Sequence, residues 1–305
     1  MGWTEVVAGS AVVAGVVVAA ALVGAGAGAQ DRSDVEIRVQ ELRGSVRMLV
    51  GQGGNLAVSA GEDGVFLVDD QFAPLTAKIV DAIRTFSDQP VRFVLNTHWH
   101  GDHTGGNENL GKAGAVIVAH ENVRRRMSAE QFMEAFGRKV PAAPEDALPV
   151  VTFAESVTFH LNGDTIRVTH VDPAHTDGDS LVFFEEANVL HTGDLFFNGR
   201  YPFVDLSSGG SFDGVIAAAG VALAMCDDDT KIVPGHGDLA TKADYQEYRR
   251  VLSTIRDRVK KLIDEGKTQD EVIAAKPCAE WDATWGAGFM RPNVFLAIVY
   301  DSLKE

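Results

Sequence analysis

The chain carries nine histidines, and three of them, His98, His100 and His103, fall within the cluster HWHGDH, with Asp102 between the last two. Imidazole and carboxylate are the ligand types of zinc and of comparable divalent metals. His98 and His100 lie just past the apolar run Val91–Asn96, which has the pattern of a buried strand. In extended backbone, residues i and i+2 point the same way, so both imidazoles can reach one metal ion. Asp102 and His103 follow the turn at Gly101 and can face a second point nearby. A lone histidine is ordinarily a hydrogen-bonded structural residue. Four ligand-capable side chains this close together reverse that reading in favour of metal binding. The remaining ligands belong at other strand ends, and three later segments fit: His175 in PAHTDGDS, Asp194 in HTGDLFF and His236 in PGHGD. Each is flanked by Gly, Pro or Thr, as expected of a loop held close to a site.

Taken in order, HWHGDH, AHTDGDS, GDLFF and PGHG resemble the metallo-β-lactamase superfamily of hydrolases, over a stretch from about Val46 to about Tyr248. The resemblance implies that His98, His100 and His175 hold one metal. It implies that Asp102, His103 and His236 hold the other, with Asp194 bridging the two. All seven positions carry the residue that the dinuclear pattern requires. The implied cofactor is zinc, two ions per chain, although an Asp/His ligand set accepts iron as well. Two such ions about 3.5–4 Å apart share a water and lower its pKa toward neutrality, giving a hydroxide that attacks a carbonyl-type or phosphoryl-type centre. Asp102 is the expected catalytic residue, orienting that hydroxide or passing a proton onward. Each ligating histidine should donate its other N–H to an acceptor. Asp69, Asp70 and Asp172 are the candidates, weighed against a plain role in turns. His120, His160, His170 and His191 are expected to be structural.

The bridge position separates activities within the family that the motifs resemble. Resistance β-lactamases usually carry Cys or Ser there, whereas Asp194 matches thioester hydrolases, lactonases and other two-metal hydrolases. The expected reaction is hydrolysis of a small ester, lactone, thioester or amide, β-lactams included. The alternative is an iron-dependent oxidoreductase on the same fold. A glutathione-thioester hydrolase should present basic residues near its C-terminus, and KPCAEWDATWGAGFMRPNVF offers few. Gly51-Gln52-Gly53-Gly54 is expected to be a mobile flap. Phe197, Tyr201 and Phe203 would wall the pocket, with Arg200 and Tyr201 contacting substrate: Arg200 anchoring an anionic group, and the Tyr201 hydroxyl bonding a developing oxyanion.

The elements that must position these residues follow from periodicity. Val46–Val50, Asn55–Ser59 and Val65–Asp69 read as antiparallel strands separated by Gly-rich turns. Pro74 opens a helix over Leu75–Phe86, and a charged helix is expected from about Glu121 to Gly137. The second half predicts strands at Ser156–Leu161, Thr165–Val171, Ser180–Phe184, Asn188–His191 and Lys231–Val233. Helices are expected over Phe212–Cys226, Lys242–Glu265 and 294–303. Each half begins with strands and then adds helices, which suggests an α/β four-layer αββα sandwich. Pro141–Pro149 reads as a loop between halves of one catalytic domain spanning 30–305.

Composition bounds the partners. The chain has 305 residues and a net charge of −16, so general electrostatic binding to nucleic acid is excluded as the main function. Arg124-Arg125-Arg126 is most simply a solvated helix face. Residues 11–23, AVVAGVVVAAALV, match the h-region of a signal peptide, with Ala27-Gly28-Ala29 as a cleavage pattern, although the preceding segment lacks Lys and Arg and carries Glu5. A signal peptide over 1–29 and a periplasmic or secreted protein are expected, with membrane attachment only if that segment is retained. Cys226 and Cys278 are expected to be buried free thiols rather than a disulfide. The partner expected is a small-molecule substrate, and the sequence leaves the oligomeric state open.

Overall fold

A computed structural model describes residue 32 and residues 34–304. The expected signal segment, 1–29, lies outside the described residues. In chain order the elements begin with β1 (Arg38–Arg43), β2 (Val46–Val50), β3 (Leu56–Gly61), β4 (Gly64–Val68), α1 (Thr76–Arg84) and β5 (Val91–Asn96). They continue with α2 (Gly101–Thr104), α3 (Asn107–Lys112), β6 (Val116–His120), α4 (Glu121–Met127), β7 (Gln131–Met133), β8 (Arg138–Val140) and β9 (Val151–Phe153). The second half holds β10 (Ser156–Leu161), β11 (Asp164–His170), β12 (Ser180–Phe184), β13 (Val189–His191), α5 (Phe212–Met225) and β14 (Lys231–Val233). It closes with α6 (Lys242–Asp264), α7 (Gln269–Ala275), α8 (Asp282–Trp285) and α9 (Pro292–Lys304).

The first sheet has strand order β1-β2-β3-β4-β5-β6-β9 and the second β10-β11-β12-β13-β14. Tight turns join the antiparallel neighbours β1 to β4, while β4, β5, β6 and β9 run parallel. Parallel neighbours need a crossover, and α1 and α2–α3 supply the first two of them. Alternation then sorts the side chains into layers. Met48, Phe66, Val68, Leu95 and Val118 on one face of the first sheet meet Ile166, Val168, Val182, Phe184 and Val189 of the second. The opposite face of the first sheet, with Leu49, Val58, Leu67, Val94 and Ile117, packs on Ile79 and Ile83 of α1. The far face of the second, with Leu181, Leu190 and Ile232, packs on α5, α6 and α9. This is the αββα sandwich expected from the sequence.

Local signals fix the outer helices. Tyr245, Tyr248, Leu252, Ile255 and Val259 recur at alternating spacings of three and four residues and are buried along α6. Its start is set by a capping box between Thr241 and Asp244. A second capping box, Thr268 with Glu271, starts α7, which the sequence reading did not anticipate. The long helix expected to Gly137 stops at Met127 instead, and residues 131–140 form the β7–β8 hairpin. The turn of that hairpin closes at Gly137, in the left-handed region at φ 56°. Cys226 and Cys278 are buried and unpaired, and burial pushes the Cys226 thiol up to about 11. Among the described residues, no helix is long and apolar enough to cross a membrane.

Candidate metal centre

Seven strand-end and loop side chains converge between the ends of the two sheets. The end of β4 is tied to the loop after β5 by Asp69, which accepts from the Thr97 backbone N–H at 2.8 Å and from the Thr97 hydroxyl at 2.9 Å. That clamp positions His98 and His100. The short turn of α2 then brings Asp102 and His103 to the same side. Loops after β11, β13 and β14 deliver His175, Asp194 and His236. The result is two groups, His98/His100/His175/Asp194 and Asp102/His103/His236, each with ligand atoms within 4.8 Å of one another.

Asp194 stands between the groups. Its Oδ2 lies 3.5 Å from His175 Nε2 and 3.9 Å from His98 Nε2. Its Oδ1 lies 3.1 Å from His103 Nε2 and 3.4 Å from His236 Nε2. Asp102 Oδ2 approaches His236 Nε2 at 3.3 Å and His103 Nε2 at 3.7 Å.

Outward contacts settle which ring nitrogens face inward with a lone pair. His175 Nδ1–H donates to the Phe203 carbonyl at 2.8 Å. His103 Nδ1–H donates to Asp69 Oδ2 at 2.7 Å. His100 Nε2–H donates to Asp205 Oδ2 at 2.9 Å. The Thr97 hydroxyl spends its proton on Asp69, so it accepts from His98 Nδ1–H at 3.0 Å. In their neutral forms these four imidazoles therefore aim lone pairs at each other and at carboxylate oxygens. Such an array is repulsive without a cation inside it. The buried atoms His98 Nε2, His103 Nε2 and Asp194 Oδ1 have no hydrogen-bond partner among the described residues, which fits a divalent-metal site.

The electrostatics divide the histidines: burial opposes protonation of His103 and His236, but Asp194 and Asp102 outweigh it, holding His103 well above the usual imidazole value and His236 up at about 9. Burial, reinforced by the neighbouring His103 and His175, holds the His98 imidazole well below its usual value. Burial also brings His175 down to about 4. Burial alone would raise Asp194, but His236 and His103 hold it well below the carboxylate range. Burial likewise opposes ionisation of Asp102, and His103 and His236 outweigh it, so this carboxyl is held low. A metal requires carboxylates and neutral imidazoles, so it would take the place of the protons that Asp194 and Asp102 draw to His103 and His236.

Two glycines permit the close packing. A Cβ on Gly54 would lie 2.1 Å from the His103 ring, and one on Gly235 would lie 2.1 Å from Asp194 Oδ1. The glycine segment expected as a free flap is held down at this end: Gly54 N–H donates to the Asp102 carbonyl at 3.0 Å, and Gln71 donates to the Gly54 carbonyl at 2.7 Å.

The structure brings all seven expected ligands together, and Asp69 supports one of them as foreseen. Asp70 and Asp172 do not support ligands. Asp70 accepts from the Gly106 backbone N–H at 2.8 Å, with its carboxyl pushed well up by burial, and Asp172 is exposed. The sequence reading missed Asp205 and the Phe203 carbonyl. Tyr201 is a correction: it is 1% exposed, stacks on Phe295, and its hydroxyl meets Asp282 Oδ1 at 2.8 Å and the Cys278 carbonyl at 3.0 Å. It packs the core rather than lining a pocket. Arg200 is exposed, its methylenes beside Gly288. Phe197 stacks on His236 and Phe203 on His100. His191 is structural, donating to the Asn55 carbonyl and accepting from the Gly193 N–H.

A family model described as the metallo-beta-lactamase superfamily matches residues 52–236. The hydroxyacylglutathione hydrolase GloC of Haemophilus influenzae is 28% identical over 155 residues, covering 50% of this chain and 72% of that protein. An atrochrysone carboxyl ACP thioesterase of Aspergillus fumigatus is 26% identical over 232 residues, covering 74% of this chain and 48% of that protein. The chain thus spans about half the length of some curated relatives it matches. Among solved structures, the metallo-beta-lactamase from Pontibacter korlensis superposes with a TM-score of 0.59 at 20% identity, covering 72% of this chain and 99% of that one.

Proposed function

The chain belongs to the metallo-β-lactamase superfamily, and from that premise we propose that it is a dinuclear zinc hydrolase acting on a small ester, lactone, thioester or amide. The observation that carries the proposal is the placement of Asp194, with one carboxylate oxygen toward each histidine group. His98, His100 and His175 would hold one ion, Asp102, His103 and His236 the other, and Asp194 both. Bound there, divalent cations supply Lewis acidity toward water and toward the oxygen of the scissile group.

The residues around that position have separable tasks. Asp205, Asp69, Thr97 and the Phe203 carbonyl fix ring orientation and tautomer. Asp102, with 28% of its side chain exposed against 5% for Asp194, marks the open face. There its carboxylate accepts a hydrogen bond from the attacking water and orients it. Phe197 and Phe203 keep bulk water from the buried rings. The exposed Arg200 is available to an anionic substrate group. Thioesters head the substrate classes, because two relatives are called hydroxyacylglutathione hydrolase and ACP thioesterase. Export with cleavage near Gln30 belongs to the same proposal and is read by N-terminal sequencing of the mature protein.

The test is a panel of thioester, lactone, lactam, phosphoester and sulfate-ester substrates, run with the protein as isolated, after chelation, and after zinc is restored. Turnover of an acyl substrate that disappears on chelation and returns with zinc is expected. No turnover, or iron with a redox response in its place, contradicts the proposal.

A further inference from the structure

A row of aromatic rings runs from the metal centre to solvent. Phe203 lies over His100 at a centroid distance of 5.8 Å and stands edge-on to His175 at 5.7 Å. Phe136, in the turn of the β7–β8 hairpin, meets Phe203 at 5.0 Å. Phe289, in the connection between α8 and α9, meets Phe136 at 5.6 Å. Exposure rises along the row, from 5% at Phe203 to 40% at Phe136 and 72% at Phe289. The hairpin and the C-terminal connection are remote in sequence, and both end their rings on the path to the same two metal-ligating histidines.

Exposed aromatic surface gains about 25 cal/mol for each Å² removed from water, so it is held at no advantage unless something covers it. A row that starts on ligand rings and ends in water suits an apolar group attached to the bond being cut at the metals. Phe132 serves as an internal comparison. It sits on the same hairpin, opposite Lys139, and is 52% exposed, but among the described residues it makes no ring contact with the row.

We propose that Phe136 and Phe289 form a specificity wall that binds the apolar acyl portion of the substrate, an aryl-alkyl or medium-chain acyl group, with Phe203 as its floor at the metals. The proposal rests on the hydrolase reading above and adds the substrate class. A short acyl group would leave Phe136 and Phe289 uncovered, whereas a longer one would bury both. Because the two rings are exposed, truncating them opens no core cavity.

The test uses N-acetylcysteamine thioesters with acetyl, butyryl and 4-phenylbutyryl groups on the zinc-loaded wild type, F136A/F289A and F132A, with metal content and melting temperature measured for each. A parallel arm measures calorimetric binding of 4-phenylbutyrate against butyrate. The wild type should prefer 4-phenylbutyryl over acetyl by about tenfold or more in kcat/KM, the scale of one apolar contact. F136A/F289A should lose most of that ratio and F132A should keep it. Binding of 4-phenylbutyrate should weaken in the double variant alone. Hydrolysis with the same ratio in wild type and double variant overturns the wall and leaves the hydrolase reading intact. Absence of thioester turnover refutes the thioester reading, while the binding arm still decides the wall: unchanged 4-phenylbutyrate affinity in the double variant overturns it.

Discussion

His175 Nε2 and His100 Nδ1 face each other at 2.9 Å, and as neutral imidazoles neither has a proton to place between them. His175 has given its N–H to the Phe203 carbonyl and His100 has given its own to Asp205. Two lone pairs at that separation repel unless a cation lies between them. Metal binding should therefore stabilise the fold. A ligand at a hundred times its Kd contributes about 2.7 kcal/mol, which raises the Tm of a large domain by about 5–10 °C. Scanning calorimetry of chelated and zinc-restored protein measures this, and identical Tm values would contradict it.

Asp205 holds the outward nitrogen of His100 and in turn accepts from the Ser207 hydroxyl at 2.5 Å and the Ser208 hydroxyl at 2.5 Å. An amide at this position keeps the shape and loses the charge. D205N should weaken zinc affinity by about 10- to 100-fold with the fold retained. Competition against a chromophoric chelator reads the change, and an unaltered affinity would show that Asp205 does not support the metal site.

Tyr201 is buried, at 1% exposure. Its hydroxyl serves the Cys278 carbonyl and Asp282, so Tyr201→Phe should cost about 1 kcal/mol of stability. It should leave kcat/KM on the best panel substrate unchanged. A large fall in kcat/KM at unchanged Tm would restore the role in substrate contact that the sequence suggested.

Asp164 accepts from the backbone N–H groups of Glu186 and Ala187 at 3.0 and 3.1 Å, yet burial, with the Glu186 carboxyl adjacent, pushes its own carboxyl up to about 6. The folded chain then binds this proton more tightly than the unfolded chain does. The contribution is fully present below about pH 4 and is lost as pH rises through about 6. D164N removes that slope. The Tm of the variant relative to wild type should rise between pH 4 and pH 6.5, and a constant or falling difference would refute the burial effect.

The seven-residue cluster was legible in the sequence because metal binding would restrict each position to His or Asp and place it near a strand end. His98 and His100 also share the two-residue period of extended backbone. Their supports were not equally legible. Asp205 stands 105 residues from His100, and nothing in VDLSS marks a carboxylate that holds a distant ring. The acceptor for His175 is a main-chain carbonyl, which has no residue signature. Asp69 was found beside Asp70, but only the fold decides which of two adjacent carboxyls turns toward His103. The sandwich itself could be read from period-two strands and the spacing of α6. The hairpin after Met127 could not, because Phe132, Met133 and Phe136, at spacings of three and four, mimic a helical face although Phe132 and Phe136 are exposed. A short amphipathic run in isolation does not tell a helix from a hairpin.

Metal content of the wild type and of D194A, determined by plasma mass spectrometry on folded protein, tests the sharing of one carboxylate between two ions most directly. About two zinc ions per chain in the wild type, falling to about one or fewer in D194A with the circular dichroism spectrum preserved, is the predicted result. One ion or none in the zinc-saturated wild type, or two in both proteins, would contradict it.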